Sequence, residues 1–294
     1  MKKFLLLLLL PFFLVTGCAD KEHSLRHDVA LSFDSERIAY TIAGEGETTL
    51  IFIHGWSCDA RYWQKQIPVF EKNYRVISLD LAGHGHSSLT RNNYTMLSFA
   101  HDVRAIIEKE RIDRAVLIGH SMGGAVIAET ARLIPEKVLG IVGVDTLQNV
   151  AERPPQSVID NMVVPFETDF KNSAQDFVAT MFPEGTDPQL MNWIREDMSS
   201  APKTIALSAF RNYLGRYVTG EAALVFNDIE IPVISINAEL WPTSPEENRK
   251  YIKDYQLYYI EGTGHFPMLE KPAEFNMLLK KAIHSLETKK NRSM

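Results

Sequence analysis

Ser121 lies in Gly119-His120-Ser121-Met122-Gly123, between the apolar run Ala115–Ile118 and a stretch, Gly124–Ala131, with the pattern of a helix. A Gly-x-Ser-x-Gly at a strand-to-helix junction predicts a turn so sharp that the serine is strained and its hydroxyl exposed. The flanking glycines leave room for the adjoining strand and helix, which a Cβ would strike. At the helix N-terminus, free amides and the helix dipole favour developing negative charge. Such a serine could attack an acyl carbon, provided a base takes its proton, because a free hydroxyl is a poor nucleophile at neutral pH. The competing explanation is a glycine-rich turn without chemistry.

The elements that must hold this turn alternate along the chain. Val29–Phe33 and Arg37–Ile42 read as an antiparallel hairpin around Asp34-Ser35-Glu36. Thr49–Ile53, Tyr74–Leu79, Ala115–Ile118, Val138–Val144 and Pro232–Ile236 are continuous apolar runs, as in strands buried on both faces, and Tyr255–Ile260 is a last strand. Helical periodicity fills Ala60–Phe70, Met96–Glu110 (with Phe99, Val103, Ile106 and Ile107 on one face) and Ala273–Leu286. Pro135 closes the helix that follows Ser121. This order predicts an α/β fold, a mostly parallel eight-stranded sheet with helices on both faces and a site at the strand C-termini. Residues 146–228 break the rhythm. They carry only helix-like pieces, Gln156–Val164, Ser173–Met181, Pro188–Met198 and Thr204–Tyr217, and read as a helical cap inserted into a core of residues 29–145 and 229–286. Residues 287–294 read as a polar tail.

The N-terminus carries a separate signal. Lys2-Lys3, an apolar core from Phe4 to Val15 and then Thr16-Gly17-Cys18 read as a signal peptide over residues 1–17, too short to span a membrane stably. Val15-Thr16-Gly17-Cys18 resembles a bacterial lipobox, which makes Cys18 the expected site of acylation (palmitate-type chains) and residues 18–28 a lipidated tether. The protein is then expected in the bacterial cell envelope, anchored to a membrane surface on the periplasmic or outer side. An ordinary secretory signal with a free cysteine is the alternative. Cys18 and Cys58 are the two cysteines, so acylation of Cys18 excludes an intrachain disulfide. Loss of Lys2 and Lys3 moves the formal charge from −6 to −8, which gives no electrostatic case for nucleic acid.

Five features in order make the chain resemble the α/β-hydrolase superfamily over about residues 29–286. They are His54-Gly55-Trp56, Asp80-Leu-Ala-Gly83-His-Gly85-His-Ser87, the turn at Ser121, the inserted cap and Gly264-His265-Phe266. The resemblance implies a Ser-His-acid triad with Ser121 as nucleophile and His265 as base. It also implies an oxyanion hole from the amides of Trp56 and Met122. The acid is where this sequence departs from the commonest pattern. The stretch resembling Asn-Gly-Glu-x-Asp-Pro is Asn237-Ala238-Glu239-Leu240-Trp241-Pro242, with tryptophan in place of aspartate. Asp145, at the end of the sixth strand, is the first choice for the acid, and Glu239 is the alternative. His84 and His86 have no further partner at metal-ligand spacing, with Asp80 read as shaping its loop, so neither metal nor cofactor is expected. Cys58 reads as a buried, inert thiol. The aromatic and methionine side chains of the cap imply a mainly apolar pocket.

The implied activity is hydrolysis of an ester or related acyl compound of small to medium size. Lactonase, C–C bond hydrolase and cofactor-free haloperoxidase chemistries stay open on similar groups. A carboxylate nucleophile, as in haloalkane dehalogenases, is excluded by Ser121. The rival from another class is a lipid-anchored, non-catalytic binding protein, for which Trp241 in place of the usual acid is the motive.

Overall fold

The computed structural model describes residues 25–292; the stretch read as a signal peptide, Cys18 and most of the expected tether lie outside the described residues. The strands are β1 (Arg26–Leu31), β2 (Arg37–Ala43), β3 (Thr49–Ile53), β4 (Arg75–Leu79), β5 (Ala115–His120), β6 (Val138–Val144), β7 (Val233–Ala238) and β8 (Tyr255–Ile260). They form one 8-stranded sheet in the order β1-β2-β4-β3-β5-β6-β7-β8. β1 pairs antiparallel with β2, and β2 with β4. Every pairing from β4 through β8 is parallel. Every residue of β3, β5, β6 and β7 is buried, as their uninterrupted apolar runs require.

After β3 the chain winds one way to β4 and then crosses to β5 on the other side. The sheet order therefore reverses between β3 and β5, which opens a crevice at their C-terminal ends. The His54-Gly55-Trp56 loop and the turn at Ser121 leave those two ends.

Helices α1 (Ile67–Phe70), α2 (Met96–Lys109), α3 (Met122–Leu133), α10 (Pro267–Glu270) and α11 (Pro272–Arg292) belong to the core. The helix expected over Ala60–Phe70 is broken into a 3-10 turn, Ala60–Trp63, and the short α1. Pro68, in the first turn of α1, has no N–H to continue a helix arriving from upstream. α2 begins at a capping box, with Thr95 accepting from the Ser98 amide at 3.0 Å and Ser98 accepting from the Thr95 amide at 3.0 Å. Its expected face of Phe99, Val103, Ile106 and Ile107 is buried.

The first strand and the last helix reach beyond the bounds read in the sequence. β1 starts at Arg26 rather than Val29, because His27 and Asp28 pair with Thr41 and Tyr40, so the last residues of the expected tether join the sheet. The expected polar tail continues α11 to Arg292. Its sequence, Glu287-Thr-Lys-Lys-Asn-Arg, is rich in good helix formers, and Lys289 is held by the Asp254 carboxylate at 2.5 and 2.7 Å.

Between β6 and β7 the chain builds α4 (Gln156–Thr168), α5 (Phe170–Ala179), α6 (Pro188–Ser199), α7 (Lys203–Thr219) and α8 (Glu221–Leu224). This insertion is fastened to the core at several points. The Trp56 indole donates to the Ala206 carbonyl at 2.8 Å, and its ring packs among Phe166, Phe170, Phe177 and Phe210. Buried Arg216 of α7 pairs with buried Glu129 of α3 at 2.5 Å. Arg61 is shared by Asp59 and Asp197 of α6 and lies over the Trp193 ring. α9 (Pro245–Asn248) follows β7. No helix among the described residues is long and apolar enough to cross a membrane.

Candidate active site

Ser121 occupies the turn between β5 and α3 with φ 53° and ψ −120°, a region that L-residues with a Cβ avoid. The turn closes only because of its glycines: a Cβ on Gly119 would sit 2.3 Å from the Gly123 carbonyl oxygen, and one on Gly123 2.7 Å from the His54 oxygen. Met122 is the first residue of α3, so helix geometry leaves its amide without an intrahelical acceptor. The loop bearing Trp56 abuts the same point, since a Cβ on Gly55 would lie 3.0 Å from that of Ser121.

That loop is braced by His54, which is fully buried. Its Nε2 accepts from the Leu81 amide at 3.0 Å and its Nδ1 donates to the Gly55 carbonyl at 2.8 Å, which fixes a neutral tautomer. Burial holds its pKa down in the same sense. Asp80 organises the next loop by accepting from the amides of Ala60 and His86, each at 2.8 Å. His84 and His86 part company: the His84 ring is buried against the Ala82 carbonyl, while the His86 side chain is 90% exposed. Among the described residues no three His, Cys, Asp or Glu side chains gather as they would around a metal ion.

Asp145 leaves the end of β6 with φ 42°, a turn that aspartate tolerates better than most residues. Its carboxylate is fully buried and uses both oxygens. Oδ1 accepts from the Ala238 amide at 2.9 Å, and Oδ2 accepts from His265 Nδ1 at 2.5 Å. Glu239, the alternative acid, is exposed just beyond β7. The β7 end thus supplies a backbone donor to Asp145 rather than an acid of its own. Asn237 steadies the arrangement by accepting from the Thr146 amide at 3.2 Å and donating to the Thr146 carbonyl at 2.9 Å. Trp241, where the family's commoner acid would stand, lays its ring 4.8 Å from that of His265.

Ser121, Asp145 and His265 line one cavity of about 310 Å³ roofed by the helical insertion. Trp56, Phe177, Met181, Met198 and Phe210 give it a largely apolar wall, while Gln148, Glu152, Tyr213 and Tyr217 bring polar atoms to it. Of the other aromatic residues expected in the cap, Phe166 packs on Trp56 and Trp193 on Arg61, so they fasten the insertion instead. Cys58 also lines the cavity. It is 3% exposed, donates to the Trp56 carbonyl at 3.3 Å, and burial pushes its thiol well up, toward the un-ionised form.

Sequence reasoning missed the groups that hold the backbone of the His265 loop: His120, Met181 and Glu270. Their bonds all go to main-chain atoms of residues 264–266, which no residue type in the sequence signals.

Buried His54, His84 and His120 predict a sensitivity to mild acid. Burial, followed by the neighbouring His54, lowers the His84 pKa from 6.5 to about 3. A pKa depressed in the folded state stabilises the protein above the unfolded value and is lost as pH falls below it. Stability should therefore be flat between about pH 7 and 8 and decline from pH 6.5 toward 3, by about 2 kcal/mol from His84 alone between pH 6.5 and 5. Asp28, Asp34 and Asp59 have lowered pKa values and act only further into acid. Urea midpoints measured from pH 7.5 to 5 should show this slope, and His84→Asn should flatten it. An equal slope in both proteins would contradict the assignment.

The chain belongs to the α/β-hydrolase family: a family model for the alpha/beta hydrolase fold matches residues 48–272. Over 108 residues it is 36% identical to the dihydrolipoyllysine-residue acetyltransferase component of the acetoin cleaving system of Cupriavidus necator, covering 37% of this chain and 29% of that protein. It thus spans less than a third of that relative. It is 25% identical to the pimeloyl-[acyl-carrier protein] methyl ester esterase of Wigglesworthia glossinidia brevipalpis, over 82% of this chain and 95% of the other. A bromoperoxidase structure from Bacillus anthracis shares the fold with a TM-score of 0.78 at 19% identity, covering 88% of this chain and 100% of that one. Their names describe three different reactions, so membership places the chain among hydrolase-like enzymes and leaves the reaction to the site.

Proposed function

We propose that the protein is a serine hydrolase of small to medium, uncharged acyl esters, working through Ser121, His265 and Asp145. The observation that carries this is the bond from His265 Nδ1 to buried Asp145 in a cavity that Ser121 also lines. With Nδ1 tied to the carboxylate, Nε2 is the nitrogen left to take the Ser121 proton as Oγ attacks the acyl carbon. The amides of Met122 and Trp56 receive the charge that develops on the carbonyl oxygen. His265 then gives its proton to the leaving alcohol, and an acyl-enzyme remains. A water deprotonated by the same histidine attacks that ester, and the acid leaves as Ser121 recovers its proton. No cofactor enters these steps.

Substrate charge follows from the lining. Among the described residues Glu152 and Asp145 are its carboxylates, and no lysine or arginine lines the cavity. A carboxylate-terminated acyl chain should be turned over more slowly than a neutral chain of equal length, by about tenfold in kcat/KM. Glu152→Gln should narrow that gap, and equal rates for both substrates in the wild type would refute this selectivity. Lactones and β-diketones in the same panel separate lactonase and C–C hydrolase activity, which can run on the same residues, from ester hydrolysis.

A fluorophosphonate probe tests the mechanism, because covalent labelling of Ser121 needs an activated hydroxyl. Absence of labelling in folded protein would favour the non-catalytic binding protein instead. The motive for that rival is tryptophan at position 241, and the bond between Asp145 and His265 argues against it.

Acylation of Cys18 anchors the enzyme to an envelope membrane in this proposal. Cys18→Ser should move it from the membrane fraction to a soluble or unprocessed form. A wild-type protein found wholly soluble after fractionation would end the anchor hypothesis.

A further inference from the structure

We infer that Glu270 is a positioning residue for His265, acting through the backbone on either side of it. Its Oε2 accepts from the Gly264 amide at 2.9 Å and its Oε1 from the Phe266 amide at 3.0 Å. One carboxylate thus grips the amides of both residues that flank the histidine. Two more bonds complete the hold. The His265 amide donates to the Met181 carbonyl at 2.8 Å, and His120 Nε2 donates to the His265 carbonyl at 2.7 Å. The approach to Met181 is possible only at a glycine, since a Cβ on Gly264 would lie 2.1 Å from that carbonyl oxygen. Phe182 and Phe266 stack beside it at 5.4 Å.

Among the described residues Glu270 carries no ion pair that would explain a half-buried carboxylate as a surface charge. Burial pushes its carboxyl up, and the two backbone amides draw it back toward the charged form. Charge-assisted bonds to backbone N–H groups are the strong kind, and two from one side chain fix an orientation as well as a distance. The loop follows a strand end, and its buried apolar anchor, Phe266, packs on Tyr62 and Phe182 on one side of the histidine only. Without Glu270 the His265 ring keeps Asp145 but loses the frame that sets its angle to Ser121. A misplacement of about 1 Å in a reacting group can lower rates by about 10²-fold.

This inference rests on the Ser121–His265 mechanism, and the test separates the two. Glu270→Gln keeps an oxygen for one amide and turns an NH₂ toward the other; Glu270→Ala loses both bonds. Active sites are counted by fluorophosphonate labelling to completion, melting temperatures are measured, and hydrolysis is followed with a p-nitrophenyl ester and a matched alkyl ester. The expected result is a kcat per active site lowered about tenfold in Glu270→Gln and about a hundredfold in Glu270→Ala, with KM unchanged. The alkyl ester should suffer more than the p-nitrophenyl ester, because its leaving group depends on protonation by a well-aimed histidine. A residue that merely supports the fold would lower the melting temperature and leave kcat per active site and the alkyl-to-aryl ratio as in the wild type. That result, in the near-isosteric Gln variant even if Ala does not fold, overturns the inference. Should Ser121→Ala hydrolyse both esters like the wild type, the underlying mechanism fails instead.

Discussion

Ser121→Ala should lower ester turnover by about five to six orders of magnitude while substrate still binds. Removing the nucleophile removes the acyl-enzyme, and what remains is the oxyanion site and the apolar cavity acting on a water attack. The strain at Ser121 adds a second expectation. At φ 53° and ψ −120° its Cβ is crowded, a burden of about 1–3 kcal/mol. Glycine relieves that strain and gives back about 0.5–1 kcal/mol in unfolded-state entropy. Ser121→Gly should therefore be as inactive as Ser121→Ala and more stable than the wild type by about 1 kcal/mol, read as a raised urea midpoint. An active Ser121→Ala protein would dismiss the nucleophile. An inactive but destabilised glycine variant would dismiss only the strain.

Asp145→Asn should cost about four orders of magnitude in kcat with the fold intact. The reason lies in how the carboxylate is bound. The Ala238 amide donates to Oδ1, so an asparagine must keep its carbonyl oxygen there. Its NH₂ then faces His265 Nδ1 and forces that nitrogen to be the acceptor. The histidine proton moves to Nε2, where the lone pair that should receive the Ser121 proton is no longer available. Asp145→Ala would add a structural penalty, because it leaves the buried Ala238 amide unpaired. Glu239→Gln, on an exposed side chain, should stay within about threefold of the wild type. Comparable losses in Asp145→Asn and Glu239→Gln, with both proteins folded, would return the question of the acid to open competition.

The sequence by itself determined the parts of this protein that depend on neighbours along the chain. The turn at Ser121 was legible because its glycines are excluded from having a Cβ by atoms within a few residues, Gly119 against Gly123 above all. The buried strands were legible because a run such as Thr49–Ile53, with no polar alternation, fits only a sheet covered on both faces. Element ends were less so. Pro68 splits the expected helix, and β1 and α11 extend beyond their apolar cores. Those extensions are decided by partners outside the element itself, Thr41 and Tyr40 across the hairpin for β1 and Asp254 for α11.

What only the tertiary structure decided is which groups meet at the histidine. Asp145 and His265 lie 120 residues apart. Sequence left two carboxylates in play because nothing local says which strand end aims at the last loop. The parallel order β6-β7-β8 answers that geometrically, by setting the β6 end beneath the loop after β8 while β7 contributes an amide from between. Glu270 and Met181 were invisible for a related reason. They act on the main chain of residues 264–266, and a backbone amide looks the same at every position until the fold puts an acceptor in front of it.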